Sequence, residues 1–219
     1  MKAFKFTLLV LILVCTLSAK SQFLMDINGR PIVSKNYDNI EGEPYYNTEW
    51  LLGNVKLEDG TLYSNLRLKF NQIEDDVYFQ GKDKEALYFL KPVSEFTLRI
   101  VNDNNTKIVY FVRGIKGLPD NAFCQVLFKG NTQLIKRVTK VVISVSEYNA
   151  AVPVKKIDVN EKYYLISNST LRRIKPDKKS FIAALSDKQK KIEDYLKVNK
   201  TDFKNDEDLA KLITYYNSI

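Results

Sequence analysis

The chain has 219 residues, a formal net charge of +8 and no histidine. Without an imidazole, Ser-His-Asp and Cys-His catalysis and histidine-ligated zinc are excluded, so catalysis would have to use carboxylates, Lys, Tyr or a hard metal bound by carboxylates. The modest positive charge is a weak argument for an anionic partner, and the length suits one substantial core, or one core with a small appendage.

The N-terminal residues have the pattern of a secretory signal peptide. Two lysines precede the apolar run Phe6–Val14, and the small residues Ala19 and Ser21 stand before Gln22. The run is much shorter than the roughly 20 apolar residues that span a bilayer. The sequence therefore predicts a signal peptide over residues 1–21, with an uncleaved anchor as the alternative. It predicts no transmembrane span after cleavage.

Removal of residues 1–21 would change the charge and the cysteine content. Three lysines and no acid leave with the signal peptide, so the net charge falls from +8 to +5. Cys15 leaves as well, and Cys124 then has no partner for an intramolecular disulfide. Because Cys124 lies in a strand-like run near Phe123 and Val126, it is predicted to be a small buried residue, with a reactive thiol as the alternative.

Residues 22–175 show the alternation of an antiparallel β domain. A first hairpin is predicted over residues 54–70, where two alternating runs flank the turn dipeptide Asp59-Gly60. A second hairpin pairs residues 77–79 with residues 87–89 across a polar loop.

The alternation continues through the rest of this domain. A strand is predicted over residues 95–101, and the run Ile108–Val112, apolar in both phases, predicts a strand covered on both faces. A third hairpin-like unit follows over residues 123–145, and residues 162–174 predict a last strand and turn. Short strands without a helical period between them favour an α+β fold with a predominantly antiparallel sheet, either a sandwich or a partly closed barrel.

Residues 176–219 change in composition and predict three short helices packed on the β domain. Ser186 and Gln189 have the spacing of a capping box, which predicts that the second helix starts at Ser186. Asn205 is predicted to cap the last helix, in which acidic residues fill the first turn. The apolar stripe of that helix consists of Leu209, Leu212, Ile213 and Tyr216.

An aromatic cluster precedes the first hairpin. Tyr45, Tyr46 and Trp50 could form a platform for a sugar or a lipid, because aromatic faces combine a large apolar area with a polar edge. A structural role, as the lid of a core at the entrance to the sheet, is the interpretation that burial tendencies favour.

Paired carboxylates are the remaining route to hydrolytic chemistry, because glycoside hydrolysis needs two of them in different environments. The candidate acids are Glu41, Glu43, Glu49, Asp75, Asp76 and Asp120. All of them stand in polar turn contexts, so no pair is singled out and no catalytic residue is predicted. The oxygen-rich run at residues 102–106 lacks the glycine and the closing glutamate of a calcium loop, and neither a metal site nor a cofactor is predicted.

Basic residues cluster near the start of the helical segment. Together with Phe181 and Tyr195 they could meet lipid headgroups or an anionic glycan, whereas a solvated helix face is the ordinary interpretation. Nucleic acid is not predicted as a partner of an exported chain of this charge. The cluster comprises Arg172, Arg173, Lys175, Lys178, Lys179, Lys188, Lys190 and Lys191.

Four segments resemble a set of uncharacterised secreted proteins of the Bacteroidetes. They are EGEPYYNTEWLLGNVKLEDGTLYSNLRLKFN, VLFKGNTQLIKR, KKSFIAAL and LITYYNSI, which lie at the start, middle and end of the predicted mature chain. The resemblance implies export in a Gram-negative cell and a single structural unit. It implies no established activity, substrate or catalytic residue.

These observations lead to one functional expectation and two alternatives. The chain is expected to be an exported, non-catalytic protein of the periplasm or cell envelope that binds a protein or an envelope component. The alternatives are a carboxylate-dependent hydrolase acting on envelope polysaccharide and a lipid-binding barrel. The sequence is compatible with peripheral contact with a membrane surface, and it does not identify the ligand-binding residues.

Overall fold

The computed structural model describes residues 29–31, 37–102, 105–146 and 153–219. The predicted signal peptide at residues 1–21 lies outside the described residues. The strands are β1 (Gly29–Pro31), β2 (Ile40–Glu41), β3 (Leu51–Leu57), β4 (Leu62–Asn71), β5 (Asp76–Gln80), β6 (Ala86–Phe89), β7 (Val93–Asn102), β8 (Asn105–Val112), β9 (Cys124–Phe128), β10 (Thr132–Val145), β11 (Val154–Ser167) and β12 (Thr170–Ile174). The helices are α1 (Lys178–Ala184), a 3-10 turn (Ser186–Lys188), α2 (Gln189–Val198) and α3 (Asp206–Ser218).

The described strands form one sheet. Its order is β1-β6-β5-β4-β3-β7-β8-β9-β10-β11-β12, and β2 adds a short parallel contact to β11. The other pairings are antiparallel, and the sheet does not close. The predicted fold class, α+β with a predominantly antiparallel sheet and short C-terminal helices, is confirmed.

The three predicted hairpins are present. The first joins β3 to β4 through Gly60, whose φ of +87° is a conformation that glycine adopts without a steric cost. The second joins β5 to β6, with Phe79 opposite Leu87. The third joins β9 to β10.

Two strands differ from their predictions. β8 is covered on one face only, because Val109 and Phe111 are buried while Ile108 keeps 55% of its surface exposed. β11 begins at Val154, eight residues before the predicted last strand, because it pairs with β10 along the whole length of both strands. Continuous ladder pairing holds this polar stretch extended although its local sequence does not favour a strand.

The predicted capping box is wrong. Ser186 begins a 3-10 turn rather than capping a helix, and α2 starts at Gln189 without a side-chain cap. The Gln189 amide donates to Glu193 Oε1 at 2.7 Å, so it does not reach back toward Ser186. The predicted cap of α3 is confirmed, since Asn205 Oδ1 accepts hydrogen bonds from the N–H groups of Glu207 and Asp208.

Two apolar cores stabilise the chain. The sheet core joins residues of β3 to β8, including Phe70, Phe96 and Phe111. The helix core packs α1, α2 and α3 against β10, β11 and β12. Phe181, Leu212 and Ile213 are fully buried in this helix core, so the helices cover one part of the sheet and leave β4, β5 and β6 to form the site described next.

Candidate functional site

The turn between β4 and β5 directs two acidic side chains to different partners. Asn71 Oδ1 accepts hydrogen bonds from the N–H groups of Ile73 and Glu74, which fixes the start of the turn. Asp75 takes a φ of +57° and pairs with Arg137 of β10 at 2.7 Å. Glu74 instead lies among tyrosine side chains.

Three tyrosine hydroxyls converge on the Glu74 carboxylate. Tyr37 donates at 3.3 Å, Tyr88 donates at 2.9 Å, and Tyr78 donates through a short contact to Oε2. Asn71 Nδ2 donates to the hydroxyls of Tyr37 and Tyr78, at 3.1 and 3.0 Å. Burial and the hydrogen bond to Glu74 raise the pKa of Tyr78, and burial also raises the pKa of Tyr88. Both hydroxyls therefore remain protonated donors near neutral pH.

Strand register places several of these side chains in one row. Lys69 of β4 stands opposite Tyr78 of β5, and Tyr78 stands opposite Tyr88 of β6. Arg30 of β1 follows opposite Tyr88, with its guanidinium 5.7 Å from the centroid of the Tyr88 ring. Because side chains alternate along each strand, this row lies on the face opposite the sheet core, to which Val77 and Phe79 point.

These residues line a half-open cavity of about 340 Å³, called the tyrosine pocket below. Its wall includes Tyr37, Tyr45, Trp50, Lys69, Glu74 and Tyr78. Glu85 lies at the same cavity and its side chain is exposed. The rings of Tyr37 and Tyr78 each meet the ring of Tyr45 edge to face, with centroids 6.4 Å apart in both pairs.

Lys69 provides the cationic group of the tyrosine pocket. Its Nζ lies 4.3 Å from the centroid of the Tyr45 ring and 5.9 Å from that of Trp50. Among the described residues Lys69 forms no ion pair, so its ammonium donors face the aromatic rings and the cavity. The pocket thus combines aromatic faces, a cation and carboxylate acceptors.

The segment that carries Tyr45 is fixed by backbone hydrogen bonds and by Lys140. Lys140 Nζ donates to the carbonyl oxygens of Glu43 and Tyr45, at 2.7 Å each. The Gln72 N–H donates to the Pro44 carbonyl at 3.0 Å. Burial lowers the pKa of Lys140, and the two carbonyl acceptors hold its ammonium in place. Tyr45 is therefore presented to the pocket by a rigid segment.

The structure divides the predicted aromatic cluster between two roles. Tyr46 packs against the sheet core, with its ring centroid 5.2 Å from that of Phe111, as predicted for the lid of a core. Tyr45 and Trp50 line the tyrosine pocket, which is the position that the alternative interpretation, a ligand platform, requires. Neighbouring residues point to opposite sides of an extended segment, which separates the two tyrosines.

None of the six candidate acids lines the tyrosine pocket. Glu41 pairs with Lys156 at 3.2 Å, the Glu43 carboxylate accepts from the Tyr45 N–H and the Thr48 hydroxyl, and Glu49 is exposed, as is Asp120. Asp75 and Asp76 are adjacent and partly buried. Burial raises the pKa of each, against the opposing effect of Arg137 on Asp75.

The carboxylates at the pocket, Glu74 and Glu85, were not predicted from the sequence. The available signal was the alternation of β5 and β6, in which Tyr78 and Tyr88 lie on the face opposite the apolar residues. This pattern could have predicted that the two tyrosines are neighbours. The turn that brings Glu74 to them depends on the side-chain hydrogen bonds of Asn71 and on the left-handed conformation of Asp75. A pattern of alternating apolar residues predicts neither feature.

The predicted basic cluster is also divided. Its five members between positions 172 and 179 are exposed, whereas Lys188 donates to the carbonyl oxygens of Tyr216 and Ile219, at 3.2 and 2.7 Å. Cys124 is fully buried as predicted, and burial raises the pKa of its thiol to about 11.

Within the described ranges, no group of three or more acidic or cysteine side chains could hold a metal ion. In the same part of the chain, every helix is too short or too polar to cross a bilayer. Comparison of the chain with protein-family models, with curated proteins and with solved structures finds no match. Any functional conclusion therefore depends on the pocket itself.

Proposed function

We propose that the protein is an exported, non-catalytic binding protein of the cell envelope, and that its tyrosine pocket binds a saccharide unit of an envelope component. The observation that carries the proposal is the arrangement of Tyr45 and Trp50 beside fixed polar groups. Aromatic faces contact the apolar C–H face of a sugar ring, while the exposed Glu85 carboxylate and the Lys69 ammonium bind its hydroxyls.

The polar lining favours a saccharide over a lipid. The cavity is lined by the polar residues Lys69, Asn71, Glu74 and Glu85. An acyl chain binds best to an apolar wall, because it cannot form hydrogen bonds with such groups. The volume of about 340 Å³ is at the small end of ligand pockets, which suits one sugar unit rather than a long chain.

The hydrogen bonds of Glu74 favour binding over catalysis. A general acid or nucleophile needs an oxygen that is free to reach the substrate. Both oxygens of Glu74 already accept tyrosine hydroxyls, and those hydroxyls stay protonated near neutral pH. The carboxylate is thus held as a fixed acceptor that orients the tyrosine rings.

A carboxylate-dependent hydrolase is the second candidate, because Glu74 and Glu85 line the same cavity. This activity would require hydrolysis of a glycosidic bond with release of a new reducing end. Incubation of the protein with bacterial envelope polysaccharide, followed by an assay for reducing ends, separates the candidates. If the unmodified protein releases reducing ends and neither Glu74→Gln nor Glu85→Gln does, the protein is a hydrolase and the binding proposal is wrong.

Export is supported by the pattern of residues 1–21. The expected mature protein begins at Gln22 and is recovered from the periplasmic fraction of a Gram-negative host. Mass spectrometry of the protein purified from that fraction identifies its N-terminal residue. An intact N-terminus on protein in the cytoplasmic fraction would contradict export.

The ligand experiment uses the single tryptophan of the chain. Because Trp50 lines the tyrosine pocket, its fluorescence reports on the pocket without a label. Titration with a panel of neutral and amino-sugar oligosaccharides is expected to change the Trp50 emission and to saturate. Tyr45→Ala is expected to weaken binding about 10-fold, because a stacked ring contributes roughly 1 kcal/mol or more.

Tyr195→Ala is the matched control, because Tyr195 is a half-buried aromatic residue of α2 in the helix core. Its affinity for the oligosaccharide should equal that of the unmodified protein. Equal affinity of Tyr45→Ala and the unmodified protein, or no response of Trp50 to any oligosaccharide, would contradict the proposed function.

A further inference from the structure

A second concave surface lies between β12 and α1, far along the sheet order from the strands of the tyrosine pocket. It has a volume of about 470 Å³ and is called the basic groove below. Its charged wall is formed by Arg172, Arg173, Lys175 and Lys179, and its floor by small residues that include Ala183. These four cationic side chains are exposed.

The positive charge of the basic groove exceeds the negative charge that the described part of the chain places there, which is the single carboxylate of Asp177 beside four cations. Among the described residues, Arg172, Arg173, Lys175 and Lys179 form no ion pair. The acid of the groove is Asp177, whose carboxylate caps α1 by accepting from the N–H and the hydroxyl of Ser180, at 2.8 and 2.9 Å.

The placement of this charge is unfavourable for the helix. Lys178 and Lys179 occupy the first turn of α1, where the helix dipole favours acidic residues and disfavours cations. α3 follows the favourable rule, with Asp206, Glu207 and Asp208 in its first turn. The Asp177 cap offsets part of this cost, and Lys179 keeps its positive charge at the groove.

A bilayer surface fits the basic groove poorly. Surface binding to a membrane normally adds aromatic or aliphatic side chains that insert beside the basic residues. The two aromatic residues predicted for that role point inward: Phe181 is fully buried, and Tyr195 stacks on Tyr215 with ring centroids 4.5 Å apart. A concave surface lined by several cations instead fits an extended chain that carries repeated negative charges.

We propose that the basic groove binds an acidic polysaccharide. Arg172, which lies on the helix-facing side of β12 with Ile174, binds its carboxylate or sulfate groups, because a guanidinium group can donate two parallel hydrogen bonds to two oxygens of one anionic group. Arg173, on the other face of β12, adds positive charge at the edge of the groove. Lys179 adds a point charge across the groove. The small side chains at Ala183 and Ser180 leave room for the sugar backbone. This site shares no residue with the tyrosine pocket and does not depend on the function proposed for it.

The test measures binding of the full mature chain to oligogalacturonate and to heparin oligosaccharides by isothermal titration calorimetry. Neutral dextran serves as the uncharged probe. The affinity for both anionic probes should fall steeply with salt, since binding releases counterions, and dextran should give no heat. Arg172→Gln combined with Arg173→Gln and Lys179→Gln should weaken binding about 100-fold and flatten the salt dependence.

The control variant combines Lys190→Gln, Lys191→Gln and Lys200→Gln. It removes the same number of charges from exposed residues outside the groove and is expected to change the affinity less than about 3-fold. Equal losses in the two triple variants would overturn the proposal, because only the net charge would then matter. Arg172→Lys with Arg173→Lys keeps the charge and should still lose about 10-fold, since lysine cannot donate bidentately.

A further variant, Ala183→Glu, places a negative charge in the groove at an exposed helical position. It should abolish binding of both anionic probes while the circular dichroism spectrum is unchanged. Unaltered binding by this folded variant would overturn the proposal. Vesicles of phosphatidylglycerol and phosphatidylcholine in equal parts are the last probe, and binding to them that matches the oligosaccharide affinity would overturn the assignment to a polysaccharide.

Discussion

Glu74 illustrates how a single acceptor can organise a group of aromatic side chains. Tyr78 is buried, so its hydroxyl needs a partner, and the carboxylate supplies one that also accepts from Tyr37 and Tyr88. The tyrosine rings are thereby held by their hydroxyl ends, and the side chains of Tyr37 and Tyr78 form part of the cavity wall. Rigid aromatic residues lose little conformational entropy when a ligand binds.

Replacement of this acceptor should be measurable in the stability of the protein. Glu74→Gln removes the negative charge that three hydroxyls share, and we expect it to lower the free energy of unfolding by about 2 kcal/mol. Urea denaturation followed by Trp50 fluorescence measures the change. Glu85→Gln, at an exposed position of the same cavity, should shift the unfolding free energy by less than about 0.5 kcal/mol. Equal effects of the two variants would show that the tyrosine network contributes no stability.

Asp76 provides a pH-dependent prediction. Burial raises the pKa of its carboxyl above the ordinary value of 3.8, although the Val77 N–H and Arg113 oppose the shift. Below pH 3.8 the group is protonated in both the folded and the unfolded state and has no effect on stability. As the pH rises from there through the folded-state pKa, the buried negative charge destabilises the fold.

Asp76→Asn should therefore be more stable than the unmodified protein at neutral pH. In the unmodified protein the Val77 N–H donates to Asp76 Oδ1 at 2.9 Å. An asparagine side chain can accept the same hydrogen bond but carries no charge. The increase in the free energy of unfolding, measured by urea denaturation, should disappear at about pH 3, where both side chains are neutral. Asp120→Asn, at an exposed site, should show no gain at either pH. A gain that persists in acid would contradict the role of ionisation.

At the level of elements, α3 is joined to β10 by polar side chains as well as by apolar packing. Lys136 of β10 pairs with Asp206 at the start of α3 at 3.1 Å, and Asn217 near the end of α3 binds Thr132. Asn217 accepts a hydrogen bond from the Thr132 N–H at 2.9 Å and donates to the Thr132 carbonyl at 3.0 Å. Its amide thus occupies the place that a neighbouring strand would take at the start of β10. Thr132 is buried, so water does not readily replace these bonds.

Asn217→Ala should destabilise the protein by about 2 kcal/mol, because two backbone groups of Thr132 lose their partners. Chemical denaturation monitored by circular dichroism measures this change. Ser218→Ala is the control, since Ser218 is exposed and bonds only within α3, to the Tyr215 carbonyl. If the two variants have the same midpoint, the link between α3 and β10 does not depend on Asn217.

The elements also show what the sequence could predict. The hairpins and the cap by Asn205 depend on local rules, namely turn residues, alternation and side-chain bonds to nearby N–H groups, and these predictions are confirmed. The early start of β11 and the 3-10 turn at Ser186 depend on pairing with β10 and on packing in the helix core. β10 directly precedes β11, but the paired residues lie 9 to 35 positions apart in the sequence, and the helix core draws on residues of several elements, so local patterns could not reveal these features.

The same distinction applies to the candidate site. Tyr45 and Trp50 were identified from composition because aromatic residues cluster there. Lys69, Glu74 and Tyr78 come from two strands and the turn between them, and they meet Tyr45 only after β4 has paired with the segment at Pro44. A site assembled across strands has no linear spacing to recognise.

For the whole molecule, the two cores share one continuous sheet. β10 contributes Leu134 to the helix core, and its neighbour Ile135 packs with Cys124 in a smaller apolar cluster on the opposite face of β9 to β11. The helix core therefore has no boundary across which it could separate from the sheet without loss of strand pairing.

Unfolding is consequently expected to be one cooperative transition. Trp50 fluorescence, which reports on the tyrosine pocket, and circular dichroism at the helical minimum, which reports on α1 to α3, should give coincident urea curves. Loss of the helical signal at a lower urea concentration would show that the helices form an independent unit.

The complete burial of Cys124 has a consequence for kinetic measurements. A thiol reacts with alkylating agents through its thiolate, and here the thiol has neither solvent access nor an ordinary acidity. Its alkylation must wait until β9 separates from its neighbours. The labelling rate of the protein in native buffer would thus measure how often the sheet opens spontaneously at β9, the strand between the two cores.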